Sequence, residues 1–207
     1  AIAAVVSLAG TYHGEAGIAG VGIALRLLAV GTLPVIGISL GAQSILSFAW
    51  GRGDTTRMLS AARILTVVTS AVSGAYGLGA LVFSEELASF FTDDATVIGI
   101  AGQAIIATHL PLLLFGLRQT VLILFQAQGR PKAAVAIGLA QNGYLLFPLL
   151  ALLPPFFGFS GLLAAMFLAS ALTGLLSAGC LARTLSALRQ RAADHLTSIR
   201  PYPNFCP

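Results

Sequence analysis

Residues 31–63 read GTLPVIGISLGAQSILSFAWGRGDTTRMLSAAR, and the fold is decided by how this stretch is read. Its first half is apolar, interrupted by Gly31, Pro34, Gly37 and Gly41, with one amide, Gln43, near the centre. Its second half turns into Gly51-Arg52-Gly53-Asp54 and carries Arg52, Arg57 and Arg63 within twelve positions. An apolar run of bilayer length that stops at a glycine-containing basic turn is how a membrane helix meets the cytoplasm.

The rest of the chain supports that reading. Charged residues make up 9% of the sequence, far below the roughly 25% with which soluble domains cover a wet surface. Mean hydropathy is +0.92, and several apolar runs reach the length of about 20 residues that a bilayer crossing needs. The fold class is therefore an all-α integral membrane bundle of about five complete crossings plus one truncated one. The crossings are expected at 1–10 (partial), 20–50, 64–83, 97–128, 134–153 and 161–182, with a basic tail at 183–207. The opening AIAAVVSLAG has no basic flank and reads as the cut end of a crossing, since ten residues of helix reach only about 15 Å. Ser84–Thr96 (SEELASFFTDDAT) reads as a short interfacial element, with Ser84 or Asp93 as a helix cap. Ser70, Ser73, Gly74, Gly77 and Gly79 mark a face of small residues for close helix packing.

Charge fixes an orientation. Loops 51–57 and 129–132 and the tail fall on one side, and with Arg63 they hold nine of the eleven Lys and Arg residues. Loops 11–16, 84–96 and 154–160 hold none, but contain Glu15, Glu85, Glu86, Asp93 and Asp94. The positive-inside rule places the basic side in the cytoplasm of a bacterial-type inner (plasma) membrane. The basic pI of about 9.6 thus reflects orientation in the lipid bilayer, and nucleic acid is not expected as a partner. There is no metal-ligand spacing, no phosphate loop and no nucleophile–His–acid arrangement, so an enzyme is not expected.

At the basic turn the residues resemble a family. Gly41-Ala42-Gln43 with Ser47-Phe48-Ala49-Trp50-Gly51, then Phe90-Phe91-Thr92-Asp93-Asp94, then Phe125-Gln126-Ala127-Gln128-Gly129-Arg130-Pro131-Lys132-Ala133, and then Gln141 with Pro148 and Leu153-Pro154 occur in order. Together they resemble the multidrug and toxic compound extrusion (MATE) transporters. The chain departs from the family pattern at Ser44, Ser47, Ala49 and Ala140. The resemblance implies the C-terminal six-helix lobe of a two-lobed, cation-coupled antiporter. Such a protein exports small organic, often cationic, compounds by alternating access, with the missing N-terminal lobe as partner. No cofactor is implied beyond H+ or Na+ as coupling ion. No acid lies deep in a crossing, so the coupling site is expected outside this chain. The weighed alternatives are a related lipid-linked saccharide flippase and a non-transporting membrane fragment.

Polar groups inside crossings need partners, because an unpaired Arg at the bilayer centre costs about 2.5–3.5 kcal/mol on insertion scales. The candidates for lining a substrate cavity are Gln43, Gln103, His109, Arg118, Gln119, Gln141 and Asn142. Arg26 reads as an outer-interface residue. Pro34 and Pro111 are the candidate bending points.

Overall fold

The computed structural model describes residues 2–198; the side chains of Asn142, Ala192 and 194–198 lie outside the described set, as do residues 199–207 with Arg200 and Cys206. Among the described residues the chain is helical throughout: α1 (Ile2–Gly51), α2 (Thr55–Val82), α3 (Ser84–Ser89), α4 (Ala95–His109), a 3-10 turn (Leu110–Leu114), α5 (Phe115–Ala127), α6 (Pro131–Asn142) and α7 (Leu146–Ser198).

α1 and α7 are each two helices joined at a glycine. Gly14 (φ 57°, ψ −139°) breaks α1, and Gly158 (φ 59°, ψ −136°) breaks α7. These are angles that only glycine adopts freely. A Cβ placed on Gly17 would meet the carbonyl oxygen of Ala9, and one on Gly161 would meet that of Leu153. Residues eight apart in one straight helix are about 12 Å apart, so the chain reverses at both glycines. His13-Gly14-x-x-Gly17 and Phe157-Gly158-x-x-Gly161 are thus one tight helical hairpin used twice. The polar link expected over 11–16 shrinks to a break at His13 and Gly14, and the loop expected over 154–160 to a break at Gly158 alone. The helix before Gly158 runs through Pro154 and Pro155, and the two hairpins lock together. The Tyr12 hydroxyl donates to the carbonyl of Pro154 (2.9 Å), and the rings of His13 and Phe159 meet edge to face at 4.6 Å.

The basic turns form where expected. Gly53 (φ 71°) and Gly129 (φ 68°) carry the chain out of one helix. Asp54 then caps α2 by accepting from the Arg57 amide at 2.9 Å, and Pro131 opens α6. Arg52 lies over the Phe48 ring, Arg130 over Phe125 and Arg191 over Trp50. Trp50, Arg130, Arg183 and Arg191 line one concavity, so the three basic stretches meet at one end of the bundle. At the opposite end Asp94, not Asp93, caps α4 through the amides of Thr96 and Val97, and α3 starts at Ser84, preceded by Phe83 with no side-chain cap.

Two differences from the expected crossings matter. The run 134–153 is interrupted at 143–145, where the Leu145 amide bonds back five residues to Ala140. Gly143 in the middle of an apolar run permits that wide turn. The last helix does not stop at 182 but runs on into the basic tail through Ser198.

Packing divides the bundle by depth. One apolar cluster at the hairpin end gathers Val5, Ala24, Ala80, Ala101, Ile105, Leu150 and Leu162. A second at the basic end gathers Leu46, Met58, Leu65, Leu124, Ala134 and Leu181. Between them lies a layer rich in polar groups, including Thr69, Ser73, Thr108, His109, Gln119, Thr120 and Thr173, all buried. Large apolar side chains such as Leu33, Val67, Val82 and Leu175 face outward. That exterior is what a lipid-facing surface requires, and α2 alone supplies a span of 28 residues.

Candidate substrate cavity

A cavity of about 650 Å³ opens in this middle layer. Its walls come from both limbs of α1, from α4 at Thr108, from α5, from Gly138 and Gln141 of α6, and from α7. Leu25, Leu28, Ile36, Leu122, Leu146 and Met166 make most of the lining apolar, with Thr32, Gln119, Gln126 and Ser170 adding polar points. A volume of this size holds a drug-sized molecule.

Among the described residues Arg118 is the one charged residue in the lining. It sits ten positions before Gln128, roughly 15 Å along α5 from the basic end, about half a bilayer deep. Its Nη1 donates to Gln141 Oε1 (3.0 Å) and its Nη2 to the Gly138 carbonyl (3.3 Å). Gln141 in turn donates from Nε2 to Ser170 Oγ at 2.9 Å. The guanidinium lies 5.5 Å from the Phe115 ring centroid. Its Nε is enclosed and, among the described residues, has no hydrogen-bond partner. The guanidinium only donates, so it settles which end of the Gln141 amide faces Arg118 and leaves Nε2 for Ser170. The result is a relay of three side chains from α5, α6 and α7, with no acid in it.

Of the expected cavity residues, Arg118, Gln119 and Gln141 come together here. Asn142 lies in α6, with its side chain outside the described residues. Gln43 and Gln103 do not reach the cavity: Gln43 is half-buried elsewhere on α1, and Gln103 is exposed on α4. Helical phase explains this, because the faces of α1 and α4 that meet the cavity are those of Leu28–Thr32–Ile36 and Thr108. His109 is fully buried but turned away, its Nδ1 within 3.0 Å of the Ile105 carbonyl and the Thr108 hydroxyl and its ring 5.8 Å from that of Tyr76. Arg26 is exposed. α1 continues through Pro34 with no break there, whereas Pro111 lies in the 3-10 turn that separates α4 from α5. Sequence reasoning missed Ser170, Thr32 and Gly138, since a single hydroxyl or glycine in an apolar run carries no signal of direction.

These features define a polytopic helical membrane protein whose polar groups converge on a cavity at mid-depth. The chain belongs to the MatE family, whose sequence profile matches residues 2–152. It is 25% identical over 173 residues to the multidrug export protein MepA of Staphylococcus haemolyticus (strain JCSC1435), covering 84% of this chain and 38% of that protein. Identity to MepA of Staphylococcus aureus (strain MRSA252) is 22% over 171 residues, or 83% of this chain and 38% of that one. Among solved structures, the fold matches the outward-facing conformation of a multidrug resistance MATE family transporter of the MOP superfamily with a TM-score of 0.80, at 18% identity, over 90% of this chain and 42% of that one. The inward-facing conformation of such a transporter matches equally, with a TM-score of 0.80 at 17% identity, over 90% and 44%. The chain thus spans about two fifths of the length of the relatives it matches.

Proposed function

We propose that this chain forms one lobe of a secondary transporter that exports small organic compounds by alternating access. The observation that carries the proposal is the mid-depth cavity, largely apolar, with oriented polar groups from several helices. Family membership and the multidrug export proteins among the relatives support it. The equal match to outward- and inward-facing structures supports rocking of the lobe as a rigid body. A second lobe is the expected partner and completes the pathway.

Among the described residues no acid lines the cavity. The carboxylate of a proton or sodium cycle is therefore assigned to the other lobe. The basic end is assigned to the cytoplasm and the hairpin end to the outside. A cysteine placed at the exposed Thr56, with Cys180 and Cys206 replaced by serine, is expected to react with a membrane-impermeant maleimide in everted vesicles and not in intact cells; the reverse pattern overturns the orientation. Everted vesicles carrying the full-length protein are expected to accumulate a fluorescent organic substrate when energised and to release it on collapse of the ion gradient. Uptake no greater than in vesicles lacking the protein overturns the transport reading.

A further inference from the structure

The geometry points to a selectivity of this cavity for organic monoanions: Arg118 holds one carboxylate, or a comparable singly charged group, on an otherwise apolar molecule. This rests on the transport reading above. Arginine is a permanent cation, and an uncompensated cation at this depth is unfavourable. Its described partners are all neutral: an amide oxygen, a backbone carbonyl and an aromatic face. Among the described residues no Asp or Glu lines the cavity. The described acids on helices α1 to α4 are Glu15, Asp54, Glu85, Glu86, Asp93 and Asp94, and all lie in or beside the end turns.

An arginine that serves only the fold extends toward the nearer membrane surface or caps backbone carbonyls. Arg118 caps one carbonyl, that of Gly138, but turns its Nη1 onto Gln141 of α6, which is itself held by Ser170. That support fixes the guanidinium beside the cavity before any ligand arrives, which is how a preorganised anion site is built. The apolar walls suit a hydrophobic body. A single guanidinium suits one negative charge rather than a diphosphate. An organic cation, by contrast, meets a like charge on this lobe, whose described lining residues include no acid to offset it.

The test uses the purified full-length protein and three probes with one ring system: 2-naphthoate, 2-naphthamide and 2-naphthylmethylamine. By isothermal titration the carboxylate is expected to bind at least about tenfold more tightly than the amide, the factor that one hydrogen bond to a charged group supplies. The amine is expected to bind more weakly still. R118Q should bring the carboxylate-to-amide ratio close to one, while R118K should retain part of it because the charge remains and the planar fork does not. Should R118Q fail to fold, Q141E decides the matter, since it places a carboxylate against Arg118 and is expected to abolish the preference. A ratio unchanged in R118Q or Q141E, or tighter binding of the amine by the parent protein, overturns the anion site. In proteoliposomes, uptake of the carboxylate and amide at equal rates likewise counts against the anion site while leaving transport intact. Absence of uptake for all three probes counts against the transport reading, and the anion site is then decided by the titrations.

Discussion

Gly116→Ala is expected to destabilise the bundle by about 2 kcal/mol or more, and Gly116→Leu to prevent its stable assembly, whereas Gly79→Ala, in the neighbouring helix, leaves stability unchanged or slightly raised. A Cβ at Gly116 would lie 2.5 Å from the Ser70 amide nitrogen and 2.6 Å from the Thr69 carbonyl carbon. Both are backbone atoms, so no rotamer change relieves the contact and α5 has to move away from α2. Overpacking of this kind costs about 1–3 kcal/mol. The movement also strains a set of hydroxyl contacts: Thr69 Oγ1 lies 3.2 Å from the Gly116 carbonyl and 3.3 Å from Thr120 Oγ1. Interhelical bonds of this type contribute about 0.6 kcal/mol each in a membrane protein. Gly79 has nothing within 4 Å of its hypothetical Cβ, so alanine there brings only its better helix propensity. Thermal unfolding in detergent, followed by size-exclusion monodispersity, separates the two variants. Equal stability of the Gly116→Ala protein and its parent would show that α2 and α5 do not rest on this contact.

The pair Gly79 and Gly116 also shows how much of the molecule is legible from residues alone. Hydropathy locates the crossings because each must satisfy its backbone internally and expose apolar side chains to lipid. That constraint acts along the chain and needs no tertiary information. The small-residue face of α2 was visible for a similar reason, but its partner was not. Gly77 packs on the His109 carbonyl at 3.2 Å from a hypothetical Cβ, and the backbone at Ser70 packs on Gly116, while Gly79 packs on nothing. Which glycine is used depends on where another helix crosses, and composition is silent on that. The hairpins illustrate a different limit. Pro154-Pro155 looks like the end of a helix, yet the reversal waits for Gly158, because the decisive requirement is a positive φ rather than a missing N–H. The carbonyl of Pro154 instead serves Tyr12 of the other hairpin, a contact 142 residues apart in sequence.

The cavity was half legible. Arg118 and Gln141 stand out because polar groups inside a crossing need partners. That they are each other's partners, through helices α5 and α6, follows from crossing geometry. Gln43, Gln103 and His109 satisfied the same criterion and lie elsewhere. His109 makes the point most clearly: it is as buried as any residue in the bundle, but its neighbours are the preceding turn of its own helix and Tyr76. Depth is written in the sequence; direction is not.

Gln141→Leu tests the relay itself. Leucine keeps the approximate volume and removes both amide functions, so Arg118 Nη1 loses its 3.0 Å acceptor and Ser170 loses its 2.9 Å donor. Hydrogen bonds to charged groups contribute about 1.5–3 kcal/mol, and a polar group left unpaired away from water adds to the loss. The expected result is a destabilisation of about 2 kcal/mol relative to the parent, read from thermal unfolding in detergent. Gln141→Glu is expected to lose little or none of that stability, because the carboxylate still accepts from Arg118 and now neutralises it, although burying an ion pair returns much of the Coulombic gain as desolvation. Ser170→Ala should fall between the two, since Arg118 keeps its acceptor while Gln141 loses the contact that orients it. This order, Glu above Ala above Leu, is specific to a relay in which the guanidinium is the demanding partner. If leucine proved as stable as glutamine, the cavity would have to be hydrated enough for water to replace Gln141, and Arg118 would then be held by solvent rather than by α6.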